Sequence, residues 1–300
     1  MIPICLVTGF LGSGKTTFLK NHIRRTSGRR FVYIVNDFSA VDIDGLIVSE
    51  LDANVVSVAG GSIFCRCVVT DFIKTLKSVQ KDFAGIEGVI IEASGIASPG
   101  VISSLLAETG LDRVFSLRSI IGIVDPGSVN KLLETLPAIV DQIQSSDVLL
   151  INKSDAYDSK TLAAVEETLR QINSSAIMIR TQFSDTAIDP FEPQDHEDLS
   201  GEFAKCRDPH FASFSIEPRE DLTAASVKTL IEKHIRSIYR LKGFMLIDGD
   251  PHYVDVSGGV ISIQPHPAPV EKENRVLALI TPGGSTKTGE KIKKAFERTR

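Results

Sequence analysis

Disulfide chemistry, membrane spans and an overall basic surface are what this sequence lacks. Its 300 residues hold four cysteines, Cys5, Cys65, Cys67 and Cys206, too few to staple a chain of this length, and two of them sit one residue apart. No run approaches the roughly 18 to 20 uninterrupted apolar residues of a membrane-spanning helix. Met1-Ile2-Pro3-Ile4-Cys5 places no basic stretch ahead of its apolar run, so a cytoplasmic location without a membrane partner is expected. A formal net charge of -5 argues against a surface built for polyanions, and no nucleic-acid partner is expected. What remains is a chain with 42% hydrophobic and 24% charged residues, enough for a sizeable core in one large α/β domain or two smaller ones.

Along the first 180 residues, short β-branched runs at 2–8, 31–35, 89–91, 120–124, 148–151 and 177–179 alternate with helix-like stretches. Buried strands separated by helices imply a mostly parallel sheet with both faces covered. Residues 185–198 carry six acids and two prolines without a Lys or Arg, and read as a surface connection. Beyond it the pattern changes. Ala212, Phe214 and Ile216 alternate with polar residues as in a half-buried strand, and Val227, Leu230, Ile231, Ile235, Ile238 and Leu241 recur at helical spacing up to Gly243. Asp248-Gly249-Asp250-Pro251 and Ser257-Gly258-Gly259 are hairpin signals between apolar runs, and a strand at 276–280 leads to a last helix of net charge +4 over 285–300, read as a solvated face. The expected fold class is therefore α/β: a P-loop domain with a mostly parallel sheet over residues 1–190, then a smaller α+β domain over 205–300.

The P-loop assignment rests on Gly9-Phe10-Leu11-Gly12-Ser13-Gly14-Lys15-Thr16, which fits G-x-x-x-x-G-K-[ST] directly after an apolar strand and at the start of a helix-like stretch. Gly9, Gly12 and Gly14 let the backbone wrap tightly enough for its N–H groups, Ser13 included, to point at phosphate oxygens. Lys15 should neutralise the β- and γ-phosphates. Thr16 should place its hydroxyl on Mg²⁺, with Thr17 as a neighbouring phosphate donor. Gly88-Val89-Ile90-Ile91-Glu92 is an apolar run ending in an acid. At the carboxyl end of a strand, Glu92 can hold Mg²⁺, and Gly95 can approach the γ-phosphate.

Residues 148–151 form an apolar run followed by Asn152-Lys153-Ser154-Asp155, the N-K-x-D pattern. The Asp155 carboxylate can accept from both the ring N1–H and the exocyclic amino group of guanine, a match adenine lacks. ATP would leave a buried carboxylate unpaired, so GTP is the expected nucleotide. The methylene stem of Lys153 can lie over the base, and Asn152 can brace the loop.

These motifs, together with Val35-Asn36-Asp37-Phe38, Ile43-Asp44-Gly45 and Glu92-Ala93-Ser94-Gly95, resemble the CobW-type P-loop GTPases of the CobW/HypB/UreG group, which are related to the urease and hydrogenase nickel-insertion GTPases. Gly243-Phe244 and the hairpins after it resemble the family's C-terminal domain. The resemblance implies slow GTP hydrolysis coupled to metal or metallocofactor handling, with Zn²⁺, Co²⁺ or Ni²⁺ as cargo. It also implies a client metalloprotein or cofactor-assembly protein as partner, places Asp37 in the catalytic switch segment, and leaves a homodimer open. Two departures stand out. Where the family has G-C-x-C-C, this chain reads Gly60-Gly61-Ser62-Ile63-Phe64-Cys65-Arg66-Cys67-Val68, so no alignment gives three thiolates. The family's N-E-F-G-E becomes Asn36-Asp37-Phe38-Ser39-Ala40, without the last acid. Cys65 and Cys67 could hold one borderline cation if Asp37, Asp42 or Asp44 came near; redox chemistry and simple buried thiols are the other readings. His210, His234, His252 and His266 show no metal-like spacing and read as surface residues. The sequence offers no water-positioning glutamine of the Ras type. Residues 36–45 and 60–70 are the expected switch segments.

Overall fold

A computed structural model of the chain describes residues 1–37, 45, 48–49, 54–59, 62–65, 68–95, 97–193 and 211–297. Two compact units divide it; among the described residues the first runs to 193, and the second begins at 211.

In the first unit, apolar runs form seven parallel strands: β1 (Ile2–Thr8), β2 (Phe31–Asp37), β3 (Val55–Ala59), β4 (Gly88–Glu92), β5 (Phe115–Val124), β6 (Val148–Ile151) and β7 (Ile177–Arg180). Their order is β3-β2-β4-β1-β5-β6-β7. Alternate residues of the central strand β1 serve different cores. Ile4 and Leu6 pack with Val32, Val89, Ile91 and Phe72, whereas Cys5 and Val7 pack with Phe18, Leu19, Tyr33 and Ile121. Burial on both faces explains why the strands read as continuous apolar runs. The helices covering them are α1 (Lys15–Arg25), α2 (Val69–Asp82), α3 (Ile102–Glu108), α4 (Val129–Thr135), α5 (Pro137–Gln144) and α6 (Ser159–Ile172). Since β1 is flanked by β4 on one side and β5 on the other, the strand order reverses at β1. In such sheets the crevice beyond the strands' carboxyl ends is the ligand site.

Two readings of this unit need correction or refinement. The edge strand β3 was absent from the expected set; it is short and interrupted by Ser57, so it carries little periodic signal. The acidic stretch, expected as a surface connection over 185–198, keeps its described acids exposed but is anchored within its described part, up to residue 193; 194–198 lie outside the described residues. Ser119 Oγ donates to the Pro190 carbonyl at 2.6 Å, and the Phe191 ring lies 5.2 Å from that of Phe31, so 188–191 is packed against the sheet.

The second unit is an antiparallel sheet of β8 (Phe211–Ile216), β9 (Arg240–Ile247), β10 (Asp250–Ser257), β11 (Val260–Pro265) and β12 (Leu277–Pro282), in the order β11-β10-β9-β12-β8. Helices α7 (Ala224–His234) and α8 (Thr286–Phe296) supply Val227, Ile231, Ile292 and Phe296 to a core with Leu241, Met245, Val254 and Leu279. Thr223 starts α7 with a reciprocal capping box to Ser226. The helical reading through residue 241 is too long: α7 ends at His234, Ile235–Ser237 is a 3-10 turn, and Leu241 already lies in β9. Core positions of a turn and a strand happened to continue the helical spacing. Gly243 is not a helix terminator. It sits inside β9 at φ 146, where a side chain would collide with the Val276 carbonyl.

Candidate functional site

Beyond β1, Gly9, Gly12 and Gly14 adopt φ values of 136, 75 and 118. A Cβ on Gly9 would strike the Ile123 carbonyl, and one on Gly14 would strike the side chains of Asn152 and Ser184, so both glycines are sterically required. Gly14 caps α1 without a side-chain hydrogen bond, which leaves the first-turn amides for an anion. Lys15, 6% exposed, donates from Nζ to the carbonyls of Gly9 (2.8 Å) and Phe10 (3.2 Å). Thr17 follows in the same turn, half-buried.

The chain brings Thr16 and Glu92 together across 76 residues: Thr16 Oγ1 donates to Glu92 Oε1 at 3.2 Å. A hydroxyl beside a buried carboxylate is an all-oxygen set that fits a hard cation such as Mg²⁺. Three buried hydroxyls on the same loops, those of Thr8, Ser13 and Ser94, have no hydrogen-bond partner, and buried hydroxyls without partners are costly. Oxygens of a bound phosphate would satisfy them. Gly95 lies against the P-loop, since a Cβ there would come within 2.6 Å of the Leu11 amide nitrogen. Its carbonyl and that of Ala97 accept from Nε2 of the buried Gln142 at 3.3 and 2.9 Å.

On the other flank, Asn152 is 2% exposed and joins three loops. Its Nδ2 donates to the Ser13 carbonyl at 2.7 Å, and its Oδ1 accepts from the Ser184 amide at 2.7 Å and Thr181 Oγ1 at 3.3 Å. Ser184 Oγ donates to the Gly14 carbonyl at 3.0 Å, closing the ring of contacts. Lys153 is held at φ 56, and its Nζ donates to Asp125 Oδ2 at 2.6 Å. Asp125 Oδ1 accepts from Tyr157 Oη (3.1 Å) and the Gly127 amide (3.0 Å). Burial, reinforced by the Asp125 charge, raises the Tyr157 pKa, which keeps this phenol a donor. Asp155 is exposed in the turn Ser154–Ala156 that follows Lys153.

Toward β2 and β3 a second asparagine junction appears. Asn36, 2% exposed, donates from Nδ2 to the Val58 carbonyl (2.8 Å), while its Oδ1 accepts from the amides of Ile63 (3.0 Å) and Ser94 (3.2 Å). One side chain thus ties the loop after Glu92 to the segment carrying Cys65. Cys65 is 4% exposed in the apolar cluster with Ile63, Phe64 and Val68, and its carbonyl accepts from Val68 and Val69 at the start of α2.

Residues 3–180 match the family model for the CobW/HypB/UreG nucleotide-binding domain, and residues 211–300 match that for the cobalamin synthesis protein cobW C-terminal domain. The chain belongs to this CobW-type family. It is a P-loop GTPase. Among curated proteins it is similar to the zinc-regulated GTPase metalloprotein activator 1 of Schizosaccharomyces pombe, at 27% identity over 61% of this chain and 46% of that protein. It is also similar to the zinc chaperone CobW of Sinorhizobium sp, at 25% identity over 83% of each. The match thus spans under half of the yeast protein's length. The crystal structure of Zn(II)-bound YjiA GTPase from E. coli aligns over 98% of both chains at 20% identity and a TM-score of 0.49.

For a CobW-type GTPase, the cysteine segment and the switch segment hold the two departures noted in the sequence. Cys67, Ala40, Asp42, Asp44 and His210 lie outside the described residues, as does the side chain of Asp37, whose backbone ends β2. Among the described residues, no three of His, Cys, Asp and Glu converge as a metal site. Cys5 lies within β1 with its side chain fully buried, and burial pushes its thiol up to about 12, so it takes no part in thiolate chemistry. Asp125, Gln142, Tyr157, Thr181 and Ser184 escaped the motif reading. Asp125 alone carried a legible signal: like Glu92, it is an acid at the carboxyl end of a buried strand. No helix among the described residues is long and apolar enough to cross a membrane.

Proposed function

We propose that this chain hydrolyses GTP slowly and uses the nucleotide cycle to drive metal or metallocofactor delivery to a client metalloprotein. The loop amides and Lys15 hold the phosphates, with the Thr17 hydroxyl beside them. Thr16 and Glu92 would hold Mg²⁺, which when bound neutralises charge on the β- and γ-phosphate oxygens. Gly95 approaches the γ-phosphate, Asp37 acts in the switch segment, and Asn152, Lys153 and Asp155 select guanine. Without a Ras-type glutamine, water is positioned poorly and turnover is slow.

The observation that carries the reading is the Asn36 junction. The loop that would meet the γ-phosphate and the segment of Cys65 share one buried carbonyl oxygen, so a shift in the first changes the support of the second. The names of the curated relatives, zinc chaperone and zinc-regulated metalloprotein activator, point the same way. A second reading is favoured by the burial of Cys65 in an apolar cluster: a GTP-switched activator that docks on a metalloenzyme or corrinoid protein and carries no metal itself.

Metal stoichiometry and GTP turnover, measured with and without Zn²⁺, Co²⁺ or Ni²⁺ for the parent and for Cys65→Ser/Cys67→Ser, separate the two. Metal delivery predicts bound metal in the parent, metal-dependent turnover and loss of both in the double variant. No bound metal and unchanged turnover select the activator.

A further inference from the structure

Of the four non-glycine residues with positive φ among the described residues, three gather at one place: Lys153 (56°), Phe183 (53°) and Ser184 (53°) all flank the Asn152 side chain, while the fourth, Asp248, sits in a hairpin turn of the second unit. The left-handed region is unfavourable for bulky residues and persists only where surrounding contacts impose it. For Ser184 the contacts are plain, an amide on Asn152 and a hydroxyl on the Gly14 carbonyl. Phe183 is different. Its backbone is fastened, with its carbonyl accepting from Asn21 Nδ2 of α1 at 2.8 Å, and Asp185 next to the turn pairs with Arg25 of the same helix. Its ring, however, is 70% exposed, and it is the one aromatic in the exposed class among the described residues. The fold holds a strained backbone in place to present an apolar ring to solvent, one residue from the side chains that touch the P-loop.

An edge-reading carboxylate such as Asp155 leaves both faces of a purine uncovered. The stem of Lys153, whose Nζ is tied to Asp125, can cover one. We propose that Phe183 covers the other, so that the nucleotide base is held between the Lys153 stem and the Phe183 ring. Phe183 is then a base-stacking residue that sets affinity for the nucleoside part of the ligand. Aromatic rings stack on any base, so the contact adds affinity, whereas the choice of guanine stays with Asp155. The inference rests on the nucleotide assignment above and is tested separately from it.

The test uses the full chain and isothermal calorimetry with GTP, GDP, ATP and inorganic tripolyphosphate, a probe with phosphates and no base. Phe183→Ala is expected to bind GTP and GDP about tenfold more weakly while tripolyphosphate affinity stays at the parent value. Phe183→Trp is expected to keep nucleotide affinity; since the chain has no tryptophan, its emission is a single reporter, shifted by GTP and GDP and unmoved by tripolyphosphate. Parent-like GTP affinity in Phe183→Ala overturns the proposal. So does an equal loss for tripolyphosphate, which would make the turn a prop for the P-loop, or an indole signal indifferent to saturating GTP. Equal GTP and ATP affinity in the parent would sink the Asp155 assignment and leave the Phe183 contrast readable, because adenine also presents a face.

Discussion

Among the described residues, the two flanks of the P-loop are tied down differently. On the base flank, Asn152 bonds to Ser13, Thr181 and Ser184, Ser184 returns to Gly14, and Asp125 independently fixes Lys153 with help from Tyr157 and Gly127. On the phosphate and cysteine flank, among the described residues, the side chain of Asn36 links Val58, Ile63 and Ser94, and Gln142 holds Gly95 and Ala97. The difference teaches where a nucleotide signal can pass. A base docking on a braced surface would change little there, whereas events at the γ-phosphate would reach the Asn36 junction, which ties Ser94 to Ile63.

Breaking the loop shared by both flanks gives the largest effect. Lys15→Ala removes the one cation of the cradle, and kcat/KM for GTP in steady-state hydrolysis is expected to fall about 1000-fold. Next comes the base flank alone. Asp155→Asn should weaken GTP binding by roughly 100-fold or more and shift preference toward XTP, whose C2 carbonyl matches the new amide donor; competition binding with the two nucleotides reads this out.

Removing the Asn36 side chain is a smaller change with a local signature. Asn36→Ala leaves the buried amides of Ile63 and Ser94 and the Val58 carbonyl without their partner, and urea unfolding should register about 3 kcal/mol of lost stability. On the braced flank, Thr181→Val removes one of several bonds to Asn152 and should cost about 1 kcal/mol. An Asn36 variant no worse than the Thr181 variant would break the comparison.

A pH effect should follow from α1, which both flanks share. His22 is packed among Phe18, Phe31 and Tyr33, with Nδ1 3.0 Å from Tyr33 Oη. Burial, aided by the nearby Arg25, pulls its pKa down to about 4. Because protonation is easier in the unfolded chain, the folded state is fully favoured above about pH 6.5 and loses stability as pH falls toward 4. Between pH 7 and 5 the loss attributable to His22 should be about 1 to 2 kcal/mol, absent in His22→Phe, by urea unfolding at the two pH values.

Much of this molecule is legible because its signals are local. The P-loop and N-K-x-D are contiguous motifs, and strands buried on both faces announce themselves as apolar runs. The unread parts act at long range. Ser184 meets Gly14 across 170 residues, Gln142 meets Gly95 across 47, and Asn36 meets Ser94 across 58, distances at which no spacing rule operates. The packing of Phe191 against the sheet was hidden by its acidic neighbours Asp189 and Glu192, which are exposed and give the stretch the look of a surface segment. The helix end at His234 was hidden for another reason, an accidental continuation of the helical period into β9.

The central claim, that nucleotide state is passed through Asn36 to the cysteine segment, is most directly tested by the alkylation rate of Cys65 in a Cys5→Ser/Cys67→Ser/Cys206→Ser background. Rates are compared with GDP and with a non-hydrolysable GTP analogue bound. The account predicts rates at least about fivefold apart when Asn36 is intact, and equal rates in both nucleotides once Asn36→Ala is added. Equal rates with Asn36 intact would contradict it.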